Sequence, residues 1–403
     1  MNSLRIVVVG TMASDPFAGM AWMHMQIVAG LRRLGHDAIY CETTSAWPYD
    51  PLRAYKVCDS SYALPYLARV VSSFGLGDHW AYRRSYLDNA WFGPRAAAAQ
   101  DLLQHADLVF NVAGATRFND DGIRVGRPVY LGTDPVIHEA GYANGDEESL
   151  IIAREHPEAV TYGENIGRAD CPIPPLPGLR ANTRQPILID HWEGTQASRR
   201  TFTTVGNWEQ SGRDVVLNGV LYRWSKHHEM TRFLELPQRI GTPIEMATNL
   251  GAQLPGREDD QKVKARGFDP QVRARFEAHG WQFTDAVDLS LDHLRYRDYL
   301  RASRGEFTVA RDLNVRTRSG WFSERSACYL AAGRPVITQN TGFGTVLPTG
   351  EGLFAIDTLD EAVAAFEAIE SDYARHSRAA HAIASEYFSA ERVLAQLLGA
   401  LGA

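Results

Sequence analysis

Two hydrophobic rhythms alternate along the chain. Residues 4–9 form a β-branched run that ends at Gly10, and residues 21–34 repeat their apolar positions at helical spacing up to the stop signal Gly35-His36. A second apolar run, 37–40, follows at once. Strand, loop, helix and strand within about 40 residues predict a parallel βαβ unit buried on both faces. Runs at 106–112 and 127–134 predict two more strands, so the first half reads as an α/β layer structure. Between Cys171 and Pro186 the chain holds Pro172, Pro174, Pro175, Pro177 and Pro186, which rule out a helix or central strand and predict an extended surface segment. Residues 187–190 read as one last strand, and the polar stretch 192–200 as a linker.

The alternation then restarts. Strands are predicted at 201–205, 243–248, 307–310 and 335–338, with a helix at 323–332 closed by Gly333 and a helical tail over 359–398. The pattern predicts two doubly wound α/β domains, 1–191 and 201–380, joined by the 192–200 linker, with a terminal helix over 381–403 that packs back on the first domain.

Composition narrows the function. A chain of 403 residues, 45% hydrophobic and 22% charged, is larger than one core usually supports, in keeping with two domains. With 48 acidic against 41 basic side chains the net charge is −7, which argues against a polyanion binder and against nucleic acid as a partner. Cys41, Cys58, Cys171 and Cys328 form no CxxC pair and have no close histidine, so reduced thiols in a cytoplasmic protein are expected and a zinc site is not. No apolar stretch approaches ~18 residues, and the start MNSLRIVVVG falls short of a signal peptide, so neither a membrane span nor a secretion signal is expected.

Open parallel sheets bind ligands at the carboxyl ends of their strands, which directs attention to loops 10–20, 133–141, 206–213, 311–322 and 340–350. Gly10 after the first strand and Glu42 at the end of the second invite a dinucleotide reading. The loop GTMASDPFAGM, however, carries its glycines at 10 and 19, whereas GxGxxG needs them two and three apart, and NAD is disfavoured. GxxxxGK[ST], HExxH and GxSxG are also missing. The informative stretch is 311–352, RDLNVRTRSGWFSERSACYLAAGRPVITQNTGFGTVLPTGEG. It sets Arg311, Arg316 and Arg318 on one loop, then a helix opened by Ser323, a strand and a Gly-rich loop. Helix N-terminal amides and guanidinium forks both match phosphate oxygens, so the stretch predicts a diphosphate pocket, against the plainer reading of a simple N-cap and solvated arginines.

These residues resemble the GT-B glycosyltransferase superfamily. DPFAGMAWMHMQIVAGLRRLGHDAIYCE is similar to the opening of those enzymes, and SACYLAAGRPVITQNTGFG to their donor segment, in which a helix ends in an Ala-Gly-x-Pro-Val turn before a Gly-rich loop. The resemblance implies two Rossmann-like domains facing each other across a cleft, and transfer of a sugar from a nucleoside-diphosphate sugar to a small-molecule or glycan acceptor. It implies no metal and no cofactor beyond the sugar nucleotide. It leaves open a homodimer, a nucleotide-sugar epimerase or phosphorylase of the same fold, and a catalytically silent subunit that binds nucleotide sugar or a partner enzyme. Two positions depart from the family pattern. Cys328 stands where many members carry a ribose-binding Glu, with Glu324 one turn earlier as a substitute, and Met20 follows Gly19 where inverting members carry a base His.

The donor-binding candidates are Gly206, Arg316, Arg318, Trp321, Ser323, Glu324, Arg325, Thr341, Gly342, Phe343 and Gly344, with Lys226 more distant. Phe17, Gly19, Met20 and His24 are the acceptor-side candidates. An inverting transfer needs a group to take the acceptor proton. Asp134 is the first choice because it ends a predicted strand, Asp15 is the second, and both precede proline and so double as ordinary turn starters. His138, four residues from Asp134, is the third catalytic candidate, as its oriented partner.

Overall fold

The computed structural model describes residues 3–194, 197–210, 212–250 and 268–403. Thr195 and Gln196, within the stretch read as a linker, and Ser211, within one candidate loop, lie outside the described residues. The chain divides into two compact units. One comprises Met1–Ile166, Pro174–Pro186 and Ala390–Ala403, the other Gly167–Ile173 and Ile187–Ser389.

The first unit contains β1 (Arg5–Val9), β2 (Asp37–Thr43), β3 (Tyr49–Asp50), β4 (Tyr55–Lys56), β5 (Trp80–Arg83), β6 (Trp91–Phe92), β7 (Leu108–Val112), β8 (Pro128–Gly132), β9 (Glu158–Thr161) and β10 (Leu179–Asn182). Eight of them make one sheet in the order β10-β9-β8-β7-β1-β2-β5-β6, while β3 and β4 pair as a separate hairpin. Only β6 runs antiparallel in the large sheet, against β5. The central strands are apolar on both faces because helices cover both, as parallel pairing requires. Val7, Val9, Ile39 and Val109 form part of one buried core. Gly30, on the Ala18–Arg33 helix, explains how the last helix, Ala390–Ala400, packs so closely. A Cβ at position 30 would lie 2.6 Å from Leu394 Cδ1 and 3.0 Å from Ala390 Cβ.

Two expectations for residues 171–200 need correction. Residues 187–190 are not a strand. Ile187 makes only an isolated bridge to Ser389, and the chain turns into a helix at Ile189–Trp192. The first unit accordingly stops at Pro186 and not at 191, because the Ile187 amide donates to the Phe388 carbonyl at 2.7 Å and the buried Trp192 belongs to the second unit. The proline-rich stretch yields one edge strand, β10, where prolines flank the paired residues instead of interrupting them.

The second unit contains β11 (Phe202–Val205), β12 (Val215–Leu217), β13 (Val220–Tyr222), β14 (Ile244–Thr248), β15 (Trp281–Asp285), β16 (Glu306–Thr308), β17 (Val336–Gln339) and β18 (Leu353–Ile356). Six form a wholly parallel sheet, β15-β14-β11-β16-β17-β18, and β12 and β13 make an antiparallel hairpin. Phe202, Phe233, Ile244, Trp281, Phe307 and Phe366 centre its core. The tail is a series of helices, Leu359–Ser371, Tyr373–Ile383 and Ala390–Ala400, with Asp372 capping the second and a π-helical turn at Ala384–Phe388 before the third. In each sheet the first strand lies between its second-strand partner and a later one, so the strand order reverses beside β1 and beside β11. Such reversals open a crevice at the carboxyl ends of the strands. No helix among the described residues is long and apolar enough to cross a membrane, and all four cysteines are unbridged.

Candidate functional site

In the first unit, β1 delivers the chain into the Gly10–Phe17 loop. Gly10 is required there, since a Cβ would fall 2.0 Å from Nε2 of His24. The amides of this loop are already used. Met12 N–H donates to Tyr40 Oη at 2.8 Å, and Ala13 and Ser14 N–H donate to the two oxygens of Glu42 at 2.7 Å each. Ser14 Oγ and Tyr40 Oη complete the set, donating to Glu42 at 2.6 and 2.7 Å. Four donors fill the acceptor sites of one buried carboxylate, although burial pushes its pKa up to about 7. A carboxyl group of the chain itself thus takes loop amides that a dinucleotide's pyrophosphate would need, which further disfavours the NAD reading.

His24 is corrected as an acceptor ligand. It is buried, its Nδ1 donates to the Met20 carbonyl at 2.7 Å, and its Nε2 faces the Cα of Gly10. Burial drives its pKa down to about 4, so it is a neutral core imidazole. Phe17 stacks on Tyr49 with centroids 5.5 Å apart, while Gly19 is exposed and Met20 partly so, all at the start of the Ala18–Arg33 helix. Asp15 is partly exposed in a turn whose backbone bonds to Thr11 and Phe17.

Asp134 follows β8, partly exposed, on the turn Thr133-Asp134-Pro135-Val136. Val136 has φ 86° and ψ −38°, a conformation that a β-branched residue adopts only under strain, on the order of 1–3 kcal/mol. Its amide is held by Oε2 of Glu139 at 2.8 Å. Glu139 is itself buried, with its pKa pushed up to about 7 by burial, and takes a weaker bond from Thr161 Oγ1 at 3.3 Å. His138, on the helix that this turn starts, sits 3.2 Å through Nδ1 from Ser149 Oγ. Ser149 donates its hydroxyl proton to Asp146 at 2.8 Å, so its oxygen accepts from His138 and Nδ1 carries the proton. The Ser149–Asp146 chain thus orients His138 through Nδ1.

In the second unit, Gly206 follows β11 at the reversal, directly over Arg325. A Cβ there would be 4.0 Å from the Arg325 guanidinium. Arg325 does not project from the edge as a free phosphate ligand. Its Nε donates to Glu306 Oε1 at 2.5 Å, its Nη2 to Thr308 Oγ1 at 3.0 Å, and its Nη1 to the Val205 carbonyl. It ties β11 to β16 from beneath the helix Glu324–Ala331. Phe343 is likewise corrected, being buried edge-on against Phe322 at 5.2 Å.

The loop read as carrying three arginines contains a short helix, Asp312–Thr317. Arg316 on it donates to the Leu221 carbonyl at 2.7 Å and lies 4.7 Å over the Tyr222 ring, so it is shared with the β12–β13 hairpin. Arg318 caps that helix in the left-handed conformation, is exposed, and lies 3.9 Å from Asp357. Gly320 N–H donates to the Thr341 carbonyl at 2.8 Å and Thr341 Oγ1 to the Trp321 carbonyl at 2.5 Å, which join the two candidate loops. Gly342 takes φ 89°, which only glycine adopts freely, and the turn presents Gly344 at the surface.

The Glu324–Ala331 helix opens beside these loops. Its N-cap, Ser323, has extended backbone and makes no side-chain cap, and Ser326 Oγ in its first turn is buried without a hydrogen-bond partner. Cys328 is buried a turn further on and Glu324 is partly exposed at the first position. Two further cations belong to this edge, Lys226, read as the more distant candidate, and Arg311, read as one of the three loop arginines. Lys226 Nζ is 5.7 Å over the Trp321 ring, and the Arg311 guanidinium lies 3.4 Å from the Trp224 centroid. The signal for Lys226 was the cluster Arg223-Trp224-Ser225-Lys226 downstream of β11, which pairs cations with an aromatic residue.

No protein-family model and no curated protein sequence matches the chain. Solved structures do. HepE from Anabaena, crystallised with UDP and glucose, superposes with a TM-score of 0.56 at 10% identity, covering 99% of this chain and 100% of that one. A glycosyltransferase from Rickettsia africae gives 0.52 at 9%, covering 99% and 98%. Sucrose-phosphate synthase from Thermosynechococcus elongatus gives 0.51 at 11%, covering 98% of each chain. At this identity the likeness defines the fold, and the fold is GT-B.

Proposed function

We propose that the protein is a glycosyltransferase that moves a sugar from a nucleoside-diphosphate sugar to a small-molecule or glycan acceptor. The observation that carries this reading is the opening of the Glu324–Ala331 helix at the β11 reversal, with no side chain capping it, in a chain of GT-B fold. The helix amides and dipole, with Lys226, Arg316 and Arg318, would hold the diphosphate and stabilise its charge as it leaves, without calling on a metal. Trp321 is the face for a nucleobase, and Glu324 the carboxylate for a ribose in place of Cys328. Arg325 supports this edge as a positioning residue. The first unit supplies the acceptor side through Phe17, Gly19 and Met20. It also supplies the proton acceptor, for which Asp134 on its strained turn is preferred over Asp15, with His138 as an oriented second group. The unbridged thiols fit a cytoplasmic setting.

The test is thermal shift and calorimetry with UDP, ADP and GDP. One of them should raise Tm, as any ligand selective for the folded state does. Lys226→Ala should weaken that nucleotide's binding roughly tenfold or more, as expected for loss of a charge-assisted contact. No stabilisation by any of the three would overturn the reading.

A further inference from the structure

The β12–β13 hairpin breaks the rule that half-solvated strands alternate apolar and polar residues. Val215, Leu217 and Tyr222 are buried on its inner face. On the outer face Val216 and Leu221 stand directly opposite each other and are 51% and 45% exposed, while Val220, which pairs with Leu217 on the inner face, is still 38% exposed where the strand meets the turn. Polar side chains ordinarily fill such positions. Asn218 and Gly219 both take positive φ, 50° and 77°, the geometry of a tight two-residue hairpin turn that holds the aliphatic tip in place. Two cations flank it. Arg213 and Arg223 stand at the ends of the two strands and are exposed, whereas Arg316, which donates to the Leu221 carbonyl, is paired with Asp312 at 3.4 Å. The acids at its base are turned to backbone amides, Asp214 to Trp224 and Asp312 to Arg223, each at 2.8 Å.

We propose that this hairpin docks the second unit onto an anionic lipid surface. A tight aliphatic tip inserts readily among lipid headgroups, and the two arginines flanking it match their negative charge. The same arginines would oppose each other across a symmetric contact, which disfavours a second copy of the chain as the occupant. The docking surface uses Arg213 and Arg223 and not the donor-side Arg316, so the inference is independent of the sugar-transfer reading.

Flotation of the full chain tests it, using vesicles of equal parts phosphatidylcholine and phosphatidylglycerol against vesicles of phosphatidylcholine alone. The protein should float with the anionic vesicles only, and about 1 M salt should release it. Val216→Ser with Leu221→Ser should lower partitioning about tenfold or more. Arg213→Gln with Arg223→Gln should lower it about 25-fold, at roughly fivefold per arginine near such a surface. Thermal melts equal to the parent's show that the exposed substitutions leave the fold intact, and Val220→Ser provides a second apolar variant. Failure of the parent to float, or unchanged flotation of both apolar variants, overturns the proposal. So does light scattering that finds a dimer which Val216→Ser with Leu221→Ser converts to monomer, because the hairpin's occupant would then be a second chain.

Discussion

Arg325 offers a direct test of how the second unit's edge is built. Replacing it with Met keeps most of the aliphatic stem but removes the guanidinium that joins Glu306, Thr308 and Val205. Glu306 has no exposed surface, so the variant leaves a buried carboxylate without its counter-charge and a strand-end carbonyl without its donor. Breaking one side of a buried pair costs about 3–5 kcal/mol. For a unit of this size each kcal/mol moves Tm by about 2–4 °C, which sets the expected fall on the order of 10 °C. The double variant Arg325→Met with Glu306→Gln removes the stranded charge and should recover most of that loss, because replacing a buried pair as a whole is often close to neutral. Differential scanning calorimetry of the parent, both single variants and the double variant closes the cycle.

The rival assignment, Arg325 as a direct diphosphate ligand, predicts the opposite pattern. Its substitution would then leave Tm nearly unchanged and abolish nucleotide binding. A Tm within about 2 °C of the parent in Arg325→Met, less than 1 kcal/mol by the same scale, would refute the structural role, as would a double variant no more stable than the single one.

Other outcomes follow from single contacts. Gly10→Ala should be strongly destabilising, and His24→Ala in the same chain should relieve it, since the new Cβ would meet the imidazole at 2.0 Å; melts of both variants check this. The two buried titrating groups around the first loop should act with opposite slopes. Glu42, raised from 4.5 to about 7, binds a proton in the folded chain that the unfolded chain has lost, so its contribution falls as pH rises through that window. His24, lowered from 6.5 to about 4, withholds a proton that the unfolded chain takes up, so its contribution is complete above 6.5 and is lost as pH falls towards 4. Urea midpoints from pH 4 to 8 for Glu42→Gln and His24→Gln should each lose one of these slopes, and slopes identical to the parent's would dismiss the assignment. Asp134→Asn should abolish sugar transfer while calorimetry shows the nucleotide still bound; an unchanged rate would pass the role to Asp15 or His138.

The long central strands could be read in the sequence because burial on both faces writes itself as an apolar run, as in β1, β7, β14 and β17. The strands that went unread are short or at the margin of their sheet. β15, β18, β9 and β10 hold four or five residues each with exposed or half-exposed positions among them, too little for a periodic signal. Residues 187–190 show the opposite error, an apolar run whose burial comes from a helix turn. The β12–β13 hairpin was readable, since Asn218-Gly219 between two aliphatic pairs is a strong hairpin signal. Side-chain roles were less accessible. Arg325 and Phe343 lie beside true edge residues in sequence, and only the packing of strands β11 and β16 and of Phe322 decides that they face inward.

The two units share a layout and differ in what happens to the amides at their first crevice. In the first unit a carboxyl group from the neighbouring strand, Glu42, takes the Ala13 and Ser14 amides and the two nearby hydroxyls, which are then not offered to a phosphate. In the second unit the strand paired with β11 at the reversal, β16, ends in Thr308 and carries its acid, Glu306, deeper, bonded to Arg325. The corresponding charge beneath the crevice is the Arg325–Glu306 pair, which is internally neutral, and the helix above it begins without a side-chain cap. A diphosphate would meet the Glu42 carboxyl at the first crevice and a helix dipole, a lysine and an arginine at the second. The difference between Glu42 and Ser323 therefore accounts, in electrostatic terms, for why the second unit is the one proposed to hold the nucleotide and the first is left to the acceptor.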